Sequence, residues 1–254
     1  MGDVILTDLD EGIAVVTINR PEARNALNRE VQDRLPEVLR ALDDDDDVDV
    51  VILTGADPAF SAGVDLKELA AGDRELVLPR HDRGLLPPRT KPLIGAVNGV
   101  AVTGGLELAL GCDFLVASDR ARFADTHARV GVQPSWGLTV LLPRAVGVRR
   151  ARQMSLTGNY VDAATALAWG LVNVVVAHGE LLPTARRLAA DITTADQAAA
   201  RRLLRTYAET AATTEDEGWA IERAVAEEWA RAGLDTEEIA RRRAAITDRG
   251  RSQV

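Results

Sequence analysis

The chain has 254 residues, 46% of them hydrophobic and 27% charged, with a formal net charge of −9. That is enough for one large domain, or one domain with an appendage, and the acidic balance would repel a phosphate backbone, which argues against nucleic acid as a partner. A single cysteine, Cys112, excludes an internal disulfide and a cysteine-rich metal site. The start MGDVILTDLD lacks a basic region, the end RSQV is not a peroxisomal address, and no run approaches the roughly 20 apolar residues of a membrane span. A soluble, cytoplasmic protein with no membrane partner is the expectation.

In chain order, VILTDL and IAVVTINR flank an EG turn and predict a strand pair ended by Pro21. From Asn28 to Leu42, Val31, Leu35, Val38, Leu39 and Leu42 recur at helical spacing, with Asn28 as the cap. The acidic run Asp43 to Asp47 lacks the interleaved glycine of a calcium loop and reads as a solvated turn. DVVILTG, PLIGAVNG and DFLVASD are β-branched or apolar runs, each followed by a loop and a helical segment. They predict a core of repeated strand and helix units. Between the first two, AAGDRELVLPRHDRGLLPPRTK is rich in proline, glycine and charge and predicts a mobile surface insertion. After GLVNVVV the pattern turns helical in LLPTARRLAADI, AAARRLLRTYAET, EGWAIERAVAEEWARAG and DTEEIARRRAAITDRG. A core over residues 1–194 and a helical region over 195–254 are expected.

Chemistry concentrates in two glycine-containing loops that follow predicted strands, AFSAGVDL at 59–66 and GVAVTGGLELALGCD at 99–113. Gly104 and Gly105 open a helix whose first N–H groups lack intrahelical partners and favour an anion or a developing negative oxygen. One turn on, Glu107 stands among Leu106, Leu108 and Leu110. A carboxylate in that setting is costly unless paired or at work. Spacing alone leaves open a base beside the exposed amide, a distant arginine partner, or a solvent-facing side chain. Neither G-x-G-x-x-G nor the P-loop pattern is present, nor H-E-x-x-H, nor G-x-S-x-G.

Four stretches in register, PEARNALN at 21–28, AFSAGVDLKEL at 59–69, AVNGVAVTGGLELALGCD at 96–113 and GLVNVVV at 170–176, together resemble the crotonase superfamily, the enoyl-CoA hydratase/isomerase family. The resemblance implies an α/β fold, a spiral of β-β-α units with a C-terminal helical region for oligomerisation, usually as a homotrimer or a dimer of trimers. It implies a coenzyme A thioester as the substrate, without metal or redox cofactor. By motif position it places the oxyanion hole on the backbone N–H groups of Ala62 and Gly104. Gly63, Val64, Asp65 and Leu66 would line the pantetheine and adenine side together with Ala26, and Arg24 and Lys67 are candidates for the phosphates.

Hydratases of this family use two glutamates to hold one water. The first matches Glu107; the register from Phe123 puts His127 on the second, with Thr126 in place of a proline. Imidazole can shuttle protons at neutral pH, so His127 is read either as an acid-base group opposite Glu107 or as a residue that fills space. Asp125 is a candidate to orient it. Thr103 stands where the family often has glycine, and Trp136 in VQPSWGLT is expected to narrow or reshape the acyl pocket. His81, His178 and Cys112 read as bland. The implied reaction is hydration of the 2,3 double bond of an enoyl-CoA; isomerisation, thioester hydrolysis, decarboxylation and non-catalytic acyl-CoA binding are its rivals.

Overall fold

The computed structural model describes residues 2–82, 84–232, 241–243 and 251. The chain begins with a hairpin, β1 (Ile5–Asp10) and β2 (Ile13–Ile18), in which Asp10 faces Ile13 across the turn. Glu11 and Gly12 both take positive φ, the two-residue geometry that matches the twist of the flanking strands. Then follow α1 (Arg29–Asp44), β3 (Val50–Gly55), β4 (Ala59–Ser61), α2 (Leu66–Ala70), β5 (Leu93–Val97), β6 (Val100–Val102), α3 (Gly104–Leu110), β7 (Phe114–Ser118), β8 (Arg122–Ala124) and α4 (His127–Val130). That order is the expected β-β-α repeat. After it come α5 (Leu138–Val146), α6 (Val148–Thr157), β9 (Val161–Asp162), α7 (Ala163–Trp169), β10 (Val174–Val176), α8 (Leu181–Thr193), α9 (Gln197–Thr210) and α10 (Glu215–Ala232).

The strands form two sheets, one ordered β1-β2-β3-β5-β7-β10 and the other β4-β6-β8-β9. From the second repeat onward, the first strand of each unit enters the larger sheet and the second enters the smaller. β3 shows why the larger sheet reads as continuous apolar runs: Val51 and Leu53 join the main core, while Val50 and Ile52 join a second cluster with Leu181, Ala185 and Ala189 of α8. Both faces are covered, so alternation disappears. Asn28 caps α1 as expected, its side chain accepting from the Val31 N–H at 3.1 Å.

The segment from 70 to 91 departs from expectation. Leu76, Leu85 and Leu86 are buried in it, and the Leu76 carbonyl accepts from the buried Gln32 side chain at 3.0 Å. Three leucines without periodicity anchor what composition alone presents as a mobile insertion. The chain divides into two compact units, Met1–Arg201 and Arg202–Val254. This boundary and the expected one at 194/195 differ by the first part of α9. The helix expected in DTEEIARRRAAITDRG lies outside the described residues except for 241–243, which are helical.

Candidate active site

β4, β6 and β8 lie side by side and parallel in the smaller sheet. Their C-terminal ends are therefore adjacent, and three successive repeats each deliver one segment to the same place: Ala62–Val64, Thr103–Gly104 and Asp125–His127. This is where parallel sheets commonly bind ligands. The segments surround a cavity of about 50 Å³ whose lining includes Ala62, Val64, Thr103, Glu107, His127 and Trp136.

The backbone side of the site corrects one expectation. The Ala62 N–H does not face the cavity as a free donor; it donates to the Arg24 carbonyl at 3.0 Å. Arg24 and Asn25 both take left-handed φ, 51° and 55°, so the chain turns back on itself there. Buried Asn25 holds that turn, accepting from the Arg20 N–H at 2.9 Å and donating to the carbonyls of Ala56 at 2.7 Å and Ala59 at 2.6 Å. The amide left over is that of Val64, which has no acceptor among the described residues. It is close to Gly104: a Cβ added to Gly104 would stand 3.4 Å from the Val64 nitrogen and 2.9 Å from the Trp136 ring. Gly63, between Ala62 and Val64, has φ of 88°, and a Cβ there would meet the Val102 carbonyl at 2.7 Å and the Gly104 nitrogen at 3.1 Å. Gly63 is required because two main chains nearly touch there and its φ is left-handed; at Gly104 it is the Trp136 ring that leaves no room for a side chain. The pair of amides is thus Val64 with Gly104, two residues on from Ala62.

Thr103, just before that helix, has φ of 54° and ψ of −114°, a conformation that costs a non-glycine residue about 1–3 kcal/mol. Its hydroxyl lies 2.6 Å from that of Thr126 and accepts from the Thr126 N–H at 3.3 Å. The two departures from the family pattern therefore form one clasp between the start of α3 and the start of α4.

On the side-chain side, Glu107 is buried and meets neither an arginine nor solvent. Its Oε1 accepts from the N–H groups of Trp136 at 2.8 Å and Leu138 at 3.3 Å, at the start of α5, where the helix dipole favours an anion. Oε2 faces His127 Nε2 at 3.5 Å. Behind the imidazole, Nδ1 lies 2.6 Å from Asp125 Oδ1, which also accepts from the His127 N–H at 3.1 Å. Burial works against charge on the ring, but the hydrogen bonds and charges of Asp125 and Glu107 outweigh it and raise the imidazole pKa from 6.5 to about 9. Burial likewise opposes ionisation of Asp125, and His127 and Ser155 overcome it, holding this carboxyl below its usual range. His127 therefore stands between Asp125 and Glu107, in contact with both.

The sequence model of the enoyl-CoA hydratase/isomerase family matches residues 8–240. A probable peroxisomal enoyl-CoA hydratase of Arabidopsis thaliana is 45% identical over 196 residues, 76% of this chain and 73% of that one. Crotonyl-CoA hydratase of Syntrophomonas wolfei is 39% identical over 203 residues, 78% of each. The crystal structure of enoyl-CoA hydratase from Mycobacterium tuberculosis H37Rv is 54% identical with a TM-score of 0.78, covering 89% of this chain and 98% of that one. The chain belongs to the enoyl-CoA hydratase/isomerase family.

Within that family frame, the residues expected along the coenzyme side separate into two groups. Leu66 is exposed and lines the cavity, Lys67 is exposed next to it in sequence, and Arg24 is exposed in the turn whose carbonyl accepts from the Ala62 N–H. Asp65 instead turns inward: its carboxylate caps α2 through the Lys67 N–H at 3.0 Å and pairs with Arg20 at 3.1 Å. Burial opposes its charge, but these partners hold its pKa below the usual range. Arg20 also donates to the carbonyl of buried Ala26 at 2.6 Å. Asp65 and Ala26 thus support the loop from within. Sequence reasoning missed Arg20 and Asn25, although both flank the quoted PEARNALN stretch or lie within it.

Trp136 is buried with its ring against Gly104, and its Nε1 donates to the Leu78 carbonyl at 3.1 Å. It lines the cavity and supplies, through its backbone, a donor to Glu107 that no side-chain motif announces. Cys112 is half-buried, and desolvation pushes its thiol up to about 12, which leaves it without nucleophilic character. His178 bridges Ser118 at 3.1 Å and Asp57 at 3.0 Å, away from the cavity lining. Among the described residues no group of three or more His, Cys, Asp or Glu is placed to hold a metal ion, and no helix is long and apolar enough to cross a membrane.

Proposed function

We propose that this chain is an enoyl-CoA hydratase that adds water across the 2,3 double bond of an enoyl-CoA thioester. The carrying observation is a cavity lined by Val64, Glu107 and His127, with the unpaired Val64 amide close to Gly104 at the start of α3 and Glu107 facing His127. The thioester oxygen accepts from both amides, and the negative charge that develops on it as the double bond is attacked meets donors already in place. Water lies between Glu107 Oε2 and the substrate. Glu107 takes one of its protons while the oxygen bonds to C3, and the imidazolium gives its Nε2 proton to C2 of the enolate. A proton then passes from Glu107 to His127 across the 3.5 Å between them, restoring both groups. Water is consumed whole, its hydroxyl on C3 and one proton, by exchange, on C2.

Exposed Leu66 at the rim, with Arg24 and Lys67 at the surface, supports entry of the coenzyme from that side. Assembly as a trimer or a dimer of trimers belongs to the same proposal, supported by the exposed Leu203 and Tyr207 of α9 and Trp219 of α10. Sedimentation at several concentrations tests it.

The test of function is incubation with a panel of enoyl-CoA and 3-hydroxyacyl-CoA esters followed by mass analysis. The expected product of an enoyl ester carries the mass of one added water. Free coenzyme A, loss of carbon dioxide, or an isomer of unchanged mass would replace hydration by thioester hydrolysis, decarboxylation or double-bond migration.

A further inference from the structure

Two groups that exchange protons with one substrate need a rule for which gives and which takes. In this site the rule lies outside the pair, in a residue that borders neither Glu107 nor the cavity. Asp125 is buried at the end of β8, one residue before the clasp threonine. A single oxygen, Oδ1, meets both the His127 backbone N–H at 3.1 Å and ring Nδ1 at 2.6 Å. Backbone and ring are fixed to the same point, so the imidazole cannot turn about its χ angles without losing a short, desolvated contact. With Nδ1 so held, Nε2 is the only ring nitrogen left to face Glu107.

We propose that Asp125 is the positioning residue of this acid-base pair: its carboxylate fixes the His127 ring with Nε2 on the Glu107 side of the cavity, which makes His127 the proton donor to the substrate and Glu107 the base toward water. The inference rests on the hydratase reading for its kinetic consequence, but the geometry it describes stands without it. The charged groups that face the ring are Glu107 from α3 and Asp125 from the β8–α4 turn. On the neighbouring α6, Ser155 is a hydrogen-bond partner of Asp125, and Arg129 of α4 turns away to the Thr157 carbonyl at 2.8 Å. The ring thus lies between negative groups on both edges. Two carboxylates facing one water would repel, and one would need to be protonated before turnover. An imidazolium facing a carboxylate is ready at neutral pH, and the raised pKa near 9 extends that readiness into mildly alkaline solution.

The experiment compares pH profiles of kcat and kcat/KM on a short enoyl-CoA for the native protein, Asp125→Asn and Asp125→Glu. Asp125→Asn is expected to lower kcat by about ten- to a hundredfold with KM nearly unchanged. It should also move the alkaline limb of kcat down by about one pH unit or more, as the ring loses its negative neighbour. Asp125→Glu should recover part of both. An alkaline limb that stays in place in Asp125→Asn overturns the proposal. A second measurement needs neither a variant nor turnover: nitrogen NMR of the native imidazoles, with the His127 signal assigned. The expected result is a doubly protonated His127 ring persisting to near pH 9; titration at the ordinary 6.5 overturns the proposal. Should no enoyl-CoA ester gain water while the ring still titrates near 9, the hydratase reading falls and the positioning of His127 by Asp125 stands.

Discussion

The two sides of the cavity are held by opposite means. On the oxyanion side, Val64 and Gly104 contribute only main-chain N–H groups, and the approach is set by the absence of side-chain atoms at Gly63 and Gly104. On the acid-base side, Glu107, His127 and Asp125 contribute buried polar side chains, held by one another and by the backbone at the start of α5. The first side admits no added atom and does not respond to pH. The second admits an exchange as large as histidine for carboxylate, provided charge and hydrogen bonds still balance, and it titrates. The difference explains how a chain can keep an enolate-stabilising loop pair while changing its proton-transfer group.

Substitutions can break that contrast, and the largest effect is expected on the proton-transfer side. Glu107→Gln should lower kcat on a short enoyl-CoA by about a thousandfold while binding of a saturated acyl-CoA, measured by calorimetry, persists. Retained turnover would remove Glu107 from the chemistry. Gly104→Ala comes next. Its methyl would stand 2.9 Å from Trp136 and 3.4 Å from the Val64 nitrogen, disturbing one oxyanion donor or both. The expected loss is about 3 kcal/mol of transition-state stabilisation, roughly a hundredfold in kcat, with no change in the shape of the pH profile. A moved alkaline limb in this variant would contradict the separation of the two sides.

His127 sharpens the comparison through stability. Its folded-state pKa lies above its ordinary value, so its contribution is complete below pH 6.5 and is lost as pH rises through about 9. The Tm difference between the native protein and His127→Gln should therefore be greatest near or below pH 6.5 and shrink toward pH 9 and beyond; a difference that widens with pH would refute the ion pairing. The smallest effect is expected at the rim. Arg24→Ala and Lys67→Ala should raise KM a few-fold at low salt, by about 1 kcal/mol or less each, and the effect should fade as ionic strength rises.

Much of this architecture was legible from residues. The runs DVVILTG, PLIGAVNG and DFLVASD marked β3, β5 and β7, Asn28 announced the cap of α1, and Glu107 stood out as a carboxylate among leucines one turn past Gly104. His127 lies across from Glu107, 3.5 Å away. The oxyanion donor was displaced by two residues because sequence does not say which amide of a loop turns inward. That choice depends on Arg24 and Asn25 adopting left-handed φ and presenting the Arg24 carbonyl to Ala62. The buried asparagine in PEARNALN was a usable signal, since such a residue commonly bonds backbone in turns. Nothing in the sequence revealed that Trp136 and Leu138 would hold Glu107, because the donors are amides and any residue supplies one. Likewise, proline and glycine in the segment from 70 to 91 concealed Leu76, Leu85 and Leu86, whose burial follows from three-dimensional neighbours rather than from period.

The account depends most on where a thioester oxygen settles. A crystal structure with an unreactive saturated acyl-CoA bound decides it: the oxygen is predicted within about 3 Å of the Val64 and Gly104 nitrogens, with C2 and C3 on the side of Glu107 and His127. An oxygen that bonds neither amide, or one that displaces the Arg24 carbonyl from Ala62 to bind there instead, would contradict it.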